Sequence, residues 1–529
     1  MRFTITLLLI SCIPAFGQVR NVQLSSPNST PEEVTIAINP ANPDNMIAGA
    51  NIRYHYWSFD GGRTWEAGLL PANTFGDPCV AFDADGRGYF AHLSRTYESI
   101  IVRYSDDGGI NWSDGTQVFG PSSDDARPGG LTNSSLQDKE WLTVDRTGGQ
   151  HHGNVYMTWT DFTLYGSENP EDSSVIVFAR SLDRGETFDP YVRISDIAGN
   201  AADGDNTMEG AVPSVGPNGE IYVCWAGPDG LYFDKSTDAG ETWGEDKVIA
   251  DNPGGWAFDI SGIYRSNGLP VTAVDFSSSP HRGTVYVNWI DWRHGDPDVF
   301  LLRSTDQGAT WSEPLRVNDD EIGNGKEQFF TWMTVDEVTG EVCIVFYDRR
   351  AYRTDSTDVY LARSTDGGKT FTNERISEAA FFPQAFIFFG DYNNIAAYAG
   401  TIRPIWTELN AGRLSIHTAI LEEPTSVDRT GNRPESIYLH SIYPNPARKG
   451  DELQLKLDRI SAGRLQINVY DPLGRLLHTQ SEWGNSGKTT VPLQLPSELS
   501  GAIFIQIAGR STGGTMTQVS FTRPAVILD

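Results

Sequence analysis

The sequence predicts an all-β chain: a β-propeller, with seven blades favoured over six, followed by a small β-sandwich. Three observations carry this expectation: a corner motif written six times, two strand patterns upstream of every copy, and a change of composition after residue 421. The motif is Ser-x-Asp-x-Gly-x-Thr or Asn, then an aromatic. It reads SFDGGRTW from Ser58, SDDGGINW from Ser105, SLDRGETF from Ser181, STDAGETW from Ser236, STDQGATW from Ser304 and STDGGKTF from Ser364. Asp60, Asp107, Asp183, Asp238, Asp306 and Asp366 are separated by 47, 76, 55, 68 and 60 residues, the length of a four-stranded unit plus variable loops.

Before this propeller, MRFTITLLLISCIPAFG at residues 1–17 reads as a secretory signal, with Arg2, an apolar run and small residues before Gln18. LISC, ending at Cys12, offers a lipoprotein cleavage box as the alternative, though the segment ahead of that cysteine is short for one. No other run is apolar enough to span a membrane.

The propeller itself is expected over 19–421. Each motif follows a run, a Gly or Asn turn and a second run rich in β-branched and aromatic residues, as in DPCVAFDADGRGYFAHL or FTWMTVDEVTGEVCIVFYD. The units so defined are 33–70, 76–120, 138–195, 208–250, 268–318, 327–378 and 388–421. The last carries no box and only three clear strands, so Val19 to Ser25 is expected to supply its outer edge and close the ring. In each box the Asp carboxylate accepts backbone N–H groups across a turn between strands three and four, and Gly supplies the positive φ. Cys79, Cys224 and Cys343 lie in strand-like runs and read as small core residues.

With those boxes on the page, residues 20 to about 421 resemble the sialidase superfamily of Asp-box (BNR repeat) β-propellers. The resemblance implies a fold, and an activity built from three arginines on a substrate carboxylate, a Tyr nucleophile activated by Glu and an Asp acid/base. The superfamily's Arg-Ile-Pro motif is missing here; YVRIS, PLRVN and NERIS follow boxes at matching places and read as fourth-strand edges.

After a polar linker at 422–437, residues 438–524 show short alternating strands, including LQLKL, LQINVY and AIFIQIAG. YPNP from Tyr443, VYDPLGR and the Gly-Ala-Ile-Phe strand resemble the type A sorting domain of type IX secretion in Bacteroidetes. That resemblance implies the type IX machinery as partner and a secreted or outer-surface location. An accessory carbohydrate-binding sandwich is the other reading.

Chemistry in a propeller gathers at the channel mouth, on the face opposite the boxes. Strand-two ends repeat an aromatic-x-acid pattern: WTD at Asp161, WID at Asp291, FYD at Asp348 and WTE at Glu408, with WAG in the fourth unit. Arg293, Arg349, Arg350 and Arg353 follow closely, and Arg53 and Arg95 hold similar places in the first two units. Carboxylates and guanidiniums on one rim suit a sugar acid. Inner strands open with Asp77, Glu140, Glu209, Glu327 and Asp391, a ring that would raise its own pKa values or collect Ca2+, with no metal assigned.

A net charge of -29 excludes nucleic acid and acidic membrane surfaces as general partners. A glycan or glycoprotein remains. The first expectation is a glycan-acting hydrolase, an exo-glycosidase on acidic sugars, in which Tyr392 is the nucleophile (with Tyr347 as alternative) and Asp161, Asp291 and Asp348 are the acids. Arg53, Arg293, Arg349 and Arg350, with Asp77, Glu140 and Asp391, then bind substrate. The second is a non-catalytic propeller binding glycan or protein.

Overall fold

The computed structural model describes residues 19–26, 29–118, 135–421, 437–443, 447–459, 463–471, 475–484, 487–496, 501–511 and 521–528. The leader at 1–17, residues 422–436 of the linker, most of the insertion at 122–137, and parts of the YPNP and VYDPLGR strings lie outside them. The chain divides into two units, residues 1–425 and 426–529.

Seven antiparallel blades make up the ring of the first unit, each a path of four strands, with a fifth short strand, Gly199–Asn200, paired in blade 3. Blade 1 runs Val34–Ile38, Met46–Ala50, Tyr54–Ser58, Glu66–Leu69, and blade 2 runs Cys79–Phe82, Gly88–Leu93, Ile100–Ser105, Thr116–Val118. Blades 3 to 6 open with Leu136–Val144, Glu209–Val215, Val271–Val274 and Gln328–Val335. Blade 7 is Asn394–Tyr398, Thr401–Asn410 and Arg413–Leu421, and its outer strand is Val19–Gln23 from the other end of the propeller sequence, paired Val19 to Leu421 and Gln23 to His417. Innermost strands neighbour one another in blade order, and that of blade 7 returns to that of blade 1, so the expected seven-bladed ring is closed.

Burial explains the strand composition. Second strands such as Val155–Phe162, Ile221–Gly227, Val285–Asp291 and Val342–Asp348 are buried at every position, because neighbouring blades cover both faces. They therefore read as continuous apolar and aromatic runs. Fourth strands face solvent and shrink to two residues in blades 3 and 5, which leaves little open edge.

All six boxes turn the third strand into the fourth. In blade 5 the Thr310 N–H donates to Asp306 Oδ1 at 2.9 Å, the Thr310 hydroxyl to Oδ2 at 2.6 Å, the Ser304 hydroxyl to Oδ1 at 2.8 Å, and the Gly308 N–H to Ser304 Oγ at 2.8 Å. Those bonds to Thr310 and Ser304 hold the Asp306 carboxyl down at about 2. Box aromatics reach the preceding blade: Trp243 packs on Phe178 at 4.9 Å between ring centres, and Trp311 on Phe233 at 5.0 Å. The motif is thus a corner and an inter-blade staple together.

The second unit is a β-sandwich of a three-stranded sheet (Ile437–Tyr443, Glu452–Arg459, Gly487–Gln494) and a five-stranded one (Ala447–Arg448, Phe521–Leu528, Gly501–Ser511, Gly463–Tyr470, Leu476–Gly484). Alternate residues, Leu453, Leu455 and Leu457 from one sheet and Ile503, Ile505 and Ile507 from the other, meet in its core.

Candidate functional site

Antiparallel topology puts the boxes at one end of the ring and the strand-two ends and inner-strand starts at the other. At three inner-strand starts the register shifts, between Asp138 and Trp141, Glu209 and Val212, and Phe329 and Trp332. Lys139, Gly210 and Phe330 inside those bulges take φ of 55°, 79° and 49°. A bulge re-aims the side chains around it, and here it turns them toward the ring axis.

In blades 5 and 7 the aromatic-x-acid pattern proves to be a pairing of neighbours on one strand face, whereas in blade 3 the Trp159 indole donates to Gln137 and in blade 6 the aromatic is Phe346, which has no donor. The Trp289 indole N–H donates to Asp291 and that of Trp406 to Glu408, each at 2.9 Å. Blade 4, which has Gly in place of the acid, leaves the Trp225 indole nitrogen with no partner among the described residues. Asp291 also receives the Arg293 Nε at 3.0 and 2.9 Å. Asp161 accepts from Ser135, Gln137 and Tyr191.

Asp348 accepts from Arg350 at 2.7 and 2.8 Å; burial pushes its carboxyl up to about 6, with Arg350 opposing. Arg350 reaches Asp319 as well. Arg349 is buried against Glu327 and Asp355 at 3.7 and 3.8 Å and donates to Ser261 O at 2.7 Å. The structure therefore encloses Asp161, Asp291 and Asp348 in their own blades and engages Arg293, Arg349 and Arg350 internally. It does not bring Arg53, Arg293 and Arg349 onto one cavity wall.

Four of the five inner-strand acids do converge. Asp77, Glu140, Glu209 and Asp391 surround Lys139, joined by Glu33 and Asp138, while Glu327 stays with Arg349. Lys139 Nζ lies 3.6 Å from Asp391, and Arg265 donates to both Asp391 oxygens, Nε at 2.8 Å. Against the upward push of burial, these two cations hold Asp391 below its ordinary value. Burial, then Asp203, pushes Glu209 up to about 8; burial, then Asp77, pushes Glu140 well up, and neither Glu140 oxygen has a hydrogen-bond partner among the described residues. The crowding is expressed as raised pKa values at Glu33, Asp138, Glu140 and Glu209, and no group of three or more described His, Cys, Asp or Glu side chains is arranged to hold a metal ion.

Tyr392 stands on the wall of the same cavity, 6% exposed, between Trp141 and Trp332 with ring-centre distances of 5.7 and 5.9 Å. Burial, then Asp77, Glu33 and Glu140, pushes its hydroxyl well up, so it is a neutral phenol at pH 7. The cavity lined by Tyr392, Lys139, Asp77, Glu140 and Asp391 holds about 30 Å3, room for roughly one or two waters and none for a sugar ring.

A strap inserted between blades 4 and 5 crosses this mouth, built on the hairpin Ala257–Phe258 with Ser266–Asn267. Ala257 N–H donates to Asp205, Ser261 to Asp355, and Arg265 spans Asp203 and Asp391. The sequence reading passed over Arg265 because the strap has no counterpart in other units. It also passed over Glu33, whose signal was available: PEEV holds the place in blade 1 that FGDP holds in blade 2.

Away from the axis lies an open cleft of about 580 Å3, walled by Glu32, Asn51, Ile52, Arg53, Tyr54 and Leu69 of blade 1, Thr74, Phe75 and Arg95 of blade 2, and Phe388 and Leu414. Among the described residues neither Arg53 nor Arg95 makes a side-chain hydrogen bond or ion pair. Their blades end the second strand in GA and HL, with no acid to engage a guanidinium. Glu32 shares the wall; burial pushes its carboxyl up to about 7, with a hydrogen bond from Asn51 opposing. Two unengaged cations beside a carboxyl that titrates near neutrality suit an anionic ligand and proton transfer to it.

Comparison with known proteins gives sequence relatives and structural neighbours. The chain is 25% identical over 305 residues to a xyloglucanase of a Paenibacillus species, covering 52% of this chain and 26% of that protein. It is 22% identical over 345 residues to the xyloglucanase Xgh74A of Acetivibrio thermocellus, covering 57% of this chain and 35% of that one. The chain thus spans about a quarter to a third of the length of these curated relatives. Hadza microbial sialidase Hz136 matches with a TM-score of 0.40 and 15% identity, covering 72% of this chain and 74% of the neighbour. Residues 56–67 and 103–114 match the BNR/Asp-box repeat, so the motif that turns the corner of blades 1 and 2 is the Asp box.

Proposed function

We propose that this chain is an exported, glycan-acting hydrolase whose substrate carries an acidic sugar, and that its site is the cleft over blade 1. The observation that carries the reading is the grouping of Arg53, Arg95 and Glu32 on one wall of a cleft of about 580 Å3. The guanidiniums would hold the sugar carboxylate by paired, charge-assisted hydrogen bonds. Glu32, with its carboxyl near 7, is part protonated at neutral pH and would donate to the leaving glycosidic oxygen. Two relatives named xyloglucanases support a glycan as the ligand class.

Binding without cleavage is the second reading, favoured by one observation. Glycoside hydrolysis ordinarily uses two carboxyl groups, and among the described residues Glu32 is the one carboxyl that lines the cleft, since Glu33 is 2% exposed and faces Asp77, Asp391 and Lys139. Incubating the full chain with acidic and neutral glycans and identifying released sugars by mass spectrometry separates the two. If it cleaves, Glu32→Gln lowers kcat by about 10^2 to 10^4 with KM little changed, and wild-type kcat/KM falls as pH rises through 7. No release from any glycan, with binding intact, selects the second reading.

Export belongs to the same proposal. It is supported by the signal-like residues 1–17 and by the sandwich whose sequence resembles a type A sorting domain, with the type IX machinery as partner. Retention inside the cell of a chain that lacks residues 438–524 is the expected outcome.

A further inference from the structure

We infer that the cleft over blade 1 is a groove for an internal stretch of an acidic polysaccharide, holding two or more consecutive rings, in place of a pocket for one terminal sugar. The inference rests on the glycan reading above and narrows it.

The course of the wall is the first argument. Its residues come from blade 1, from Thr74, Phe75 and Arg95 of blade 2, and from Leu414 of blade 7 with Phe388 in the loop leading into that blade. A wall contributed by three successive blades runs along the rim, across blade 1, with an end on each neighbour. Its volume of about 580 Å3 lies within the roughly 300 to 1,000 Å3 that drug-sized ligands occupy, more than a single ring needs.

Openness is the second argument. The strap caps the axial cavity and leaves this cleft uncovered: Ile52 and Leu69 on its wall stay 47% and 58% exposed. A site that releases terminal sugars is ordinarily an enclosed pocket, and these exposures belong to an open one.

The third is the mix of chemistry on the wall. Phe75, from blade 2, is braced edge-on by Tyr97 at 5.0 Å, and Phe388, from the loop into blade 7, is braced by Tyr264 at 5.8 Å and carries Arg265 over its ring at 5.2 Å; Arg53 and Glu32 line the same wall. The same loop also exposes Phe382 and Phe386, at 49% and 80%. A sugar ring offers an apolar C–H face to an aromatic and its substituents to polar groups, so a wall that holds two aromatics from different blades together with cations matches a chain of rings that carries a carboxylate. The two unengaged arginines stand out on a chain of net charge -29, which makes the groove a local site for anions.

Calorimetric titration of the full chain with mono-, di- and tetragalacturonate tests this, with neutral xyloglucan oligosaccharides as the second probe. Affinity should rise about tenfold or more from the monosaccharide to the tetrasaccharide as rings reach the two aromatics. Phe388→Ala, and independently Phe75→Ala, should cancel much of that gain while monosaccharide affinity holds, whereas Arg53→Ala should weaken every acidic ligand. Monosaccharide binding as tight as tetrasaccharide binding overturns the groove and leaves the glycan reading standing. Length-dependent binding of neutral oligosaccharides alone overturns the acidic class. No binding of any probe overturns both.

Discussion

Arg53 and Arg293 follow equivalent strands in blades 1 and 5, yet their surroundings give them opposite roles. Arg293 is clamped to Asp291, which is fully buried, and stacks over Phe300 at 4.8 Å. Removing it strands a buried carboxylate, so Arg293→Ala should cost about 3 kcal/mol in urea unfolding and leave glycan affinity unchanged. Arg53 has no such partner: Arg53→Ala should shift stability by no more than about 0.5 kcal/mol and lower affinity for acidic glycans at least about tenfold. The reverse pattern would return the site to blade 5. The set of rim arginines was legible in sequence, and so was a means of sorting them, because in blades 5 and 6 the arginines follow an aromatic-x-acid ending whose carboxylate engages one of them, and in blades 1 and 2 no such acid stands there. Glu32 was not legible, since its carboxyl is set by burial among residues brought together from blades 1, 2 and 7.

At the level of the corner element, the glycine of the Asp box does two jobs, of which the sequence shows only one. Gly240 and Gly308 have φ of +81° and +79°, as the turn demands, but a Cβ there would also lie 2.3 Å from the Phe178 or Phe233 ring of the preceding blade. Gly400, in the hairpin of blade 7, has φ of +82° with nothing within 4 Å of its added Cβ. Gly400→Ala should therefore cost only the backbone strain, about 1 kcal/mol, and Gly240→Ala or Gly308→Ala about 2 to 4 kcal/mol. Equal costs at all three sites would mean that the box does not hold blades together. Blade strands and corners were readable because they repeat. The strap over the axis was not, because it occurs once, and it is the strap that moves the open site off the axis.

For the whole molecule, ring closure by Val19–Gln23 follows from counting strands, whereas its pH response follows from where the ring puts its acids. Asp306 is held near 2 against about 4 in an unfolded chain, so the stability it adds is present above pH 4 and lost as pH falls toward 2. Glu209 near 8 and Glu32 near 7 work in the other sense, against about 4.3 when unfolded. The fold keeps their protons, so their contribution is present below the unfolded value and lost as pH rises through the folded one. Burial lowers His55 to about 4 and His92 to about 3; their contribution is present above about 6.5 and lost on acidification. Above pH 6.5 these histidines become mostly neutral in the unfolded chain as they are in the fold, and the raised carboxyls dominate the slope. Tm of the full chain, followed by calorimetry, should therefore fall between pH 6.5 and 8. Glu209→Gln should flatten that fall by up to about 1.4 kcal/mol per pH unit, and should do so without altering the losses below pH 4. A Tm that is level or rising across this window, or a variant with the wild-type slope, would show that the axial acids are ionised in the fold and that Lys139 and Arg265 suffice to hold them.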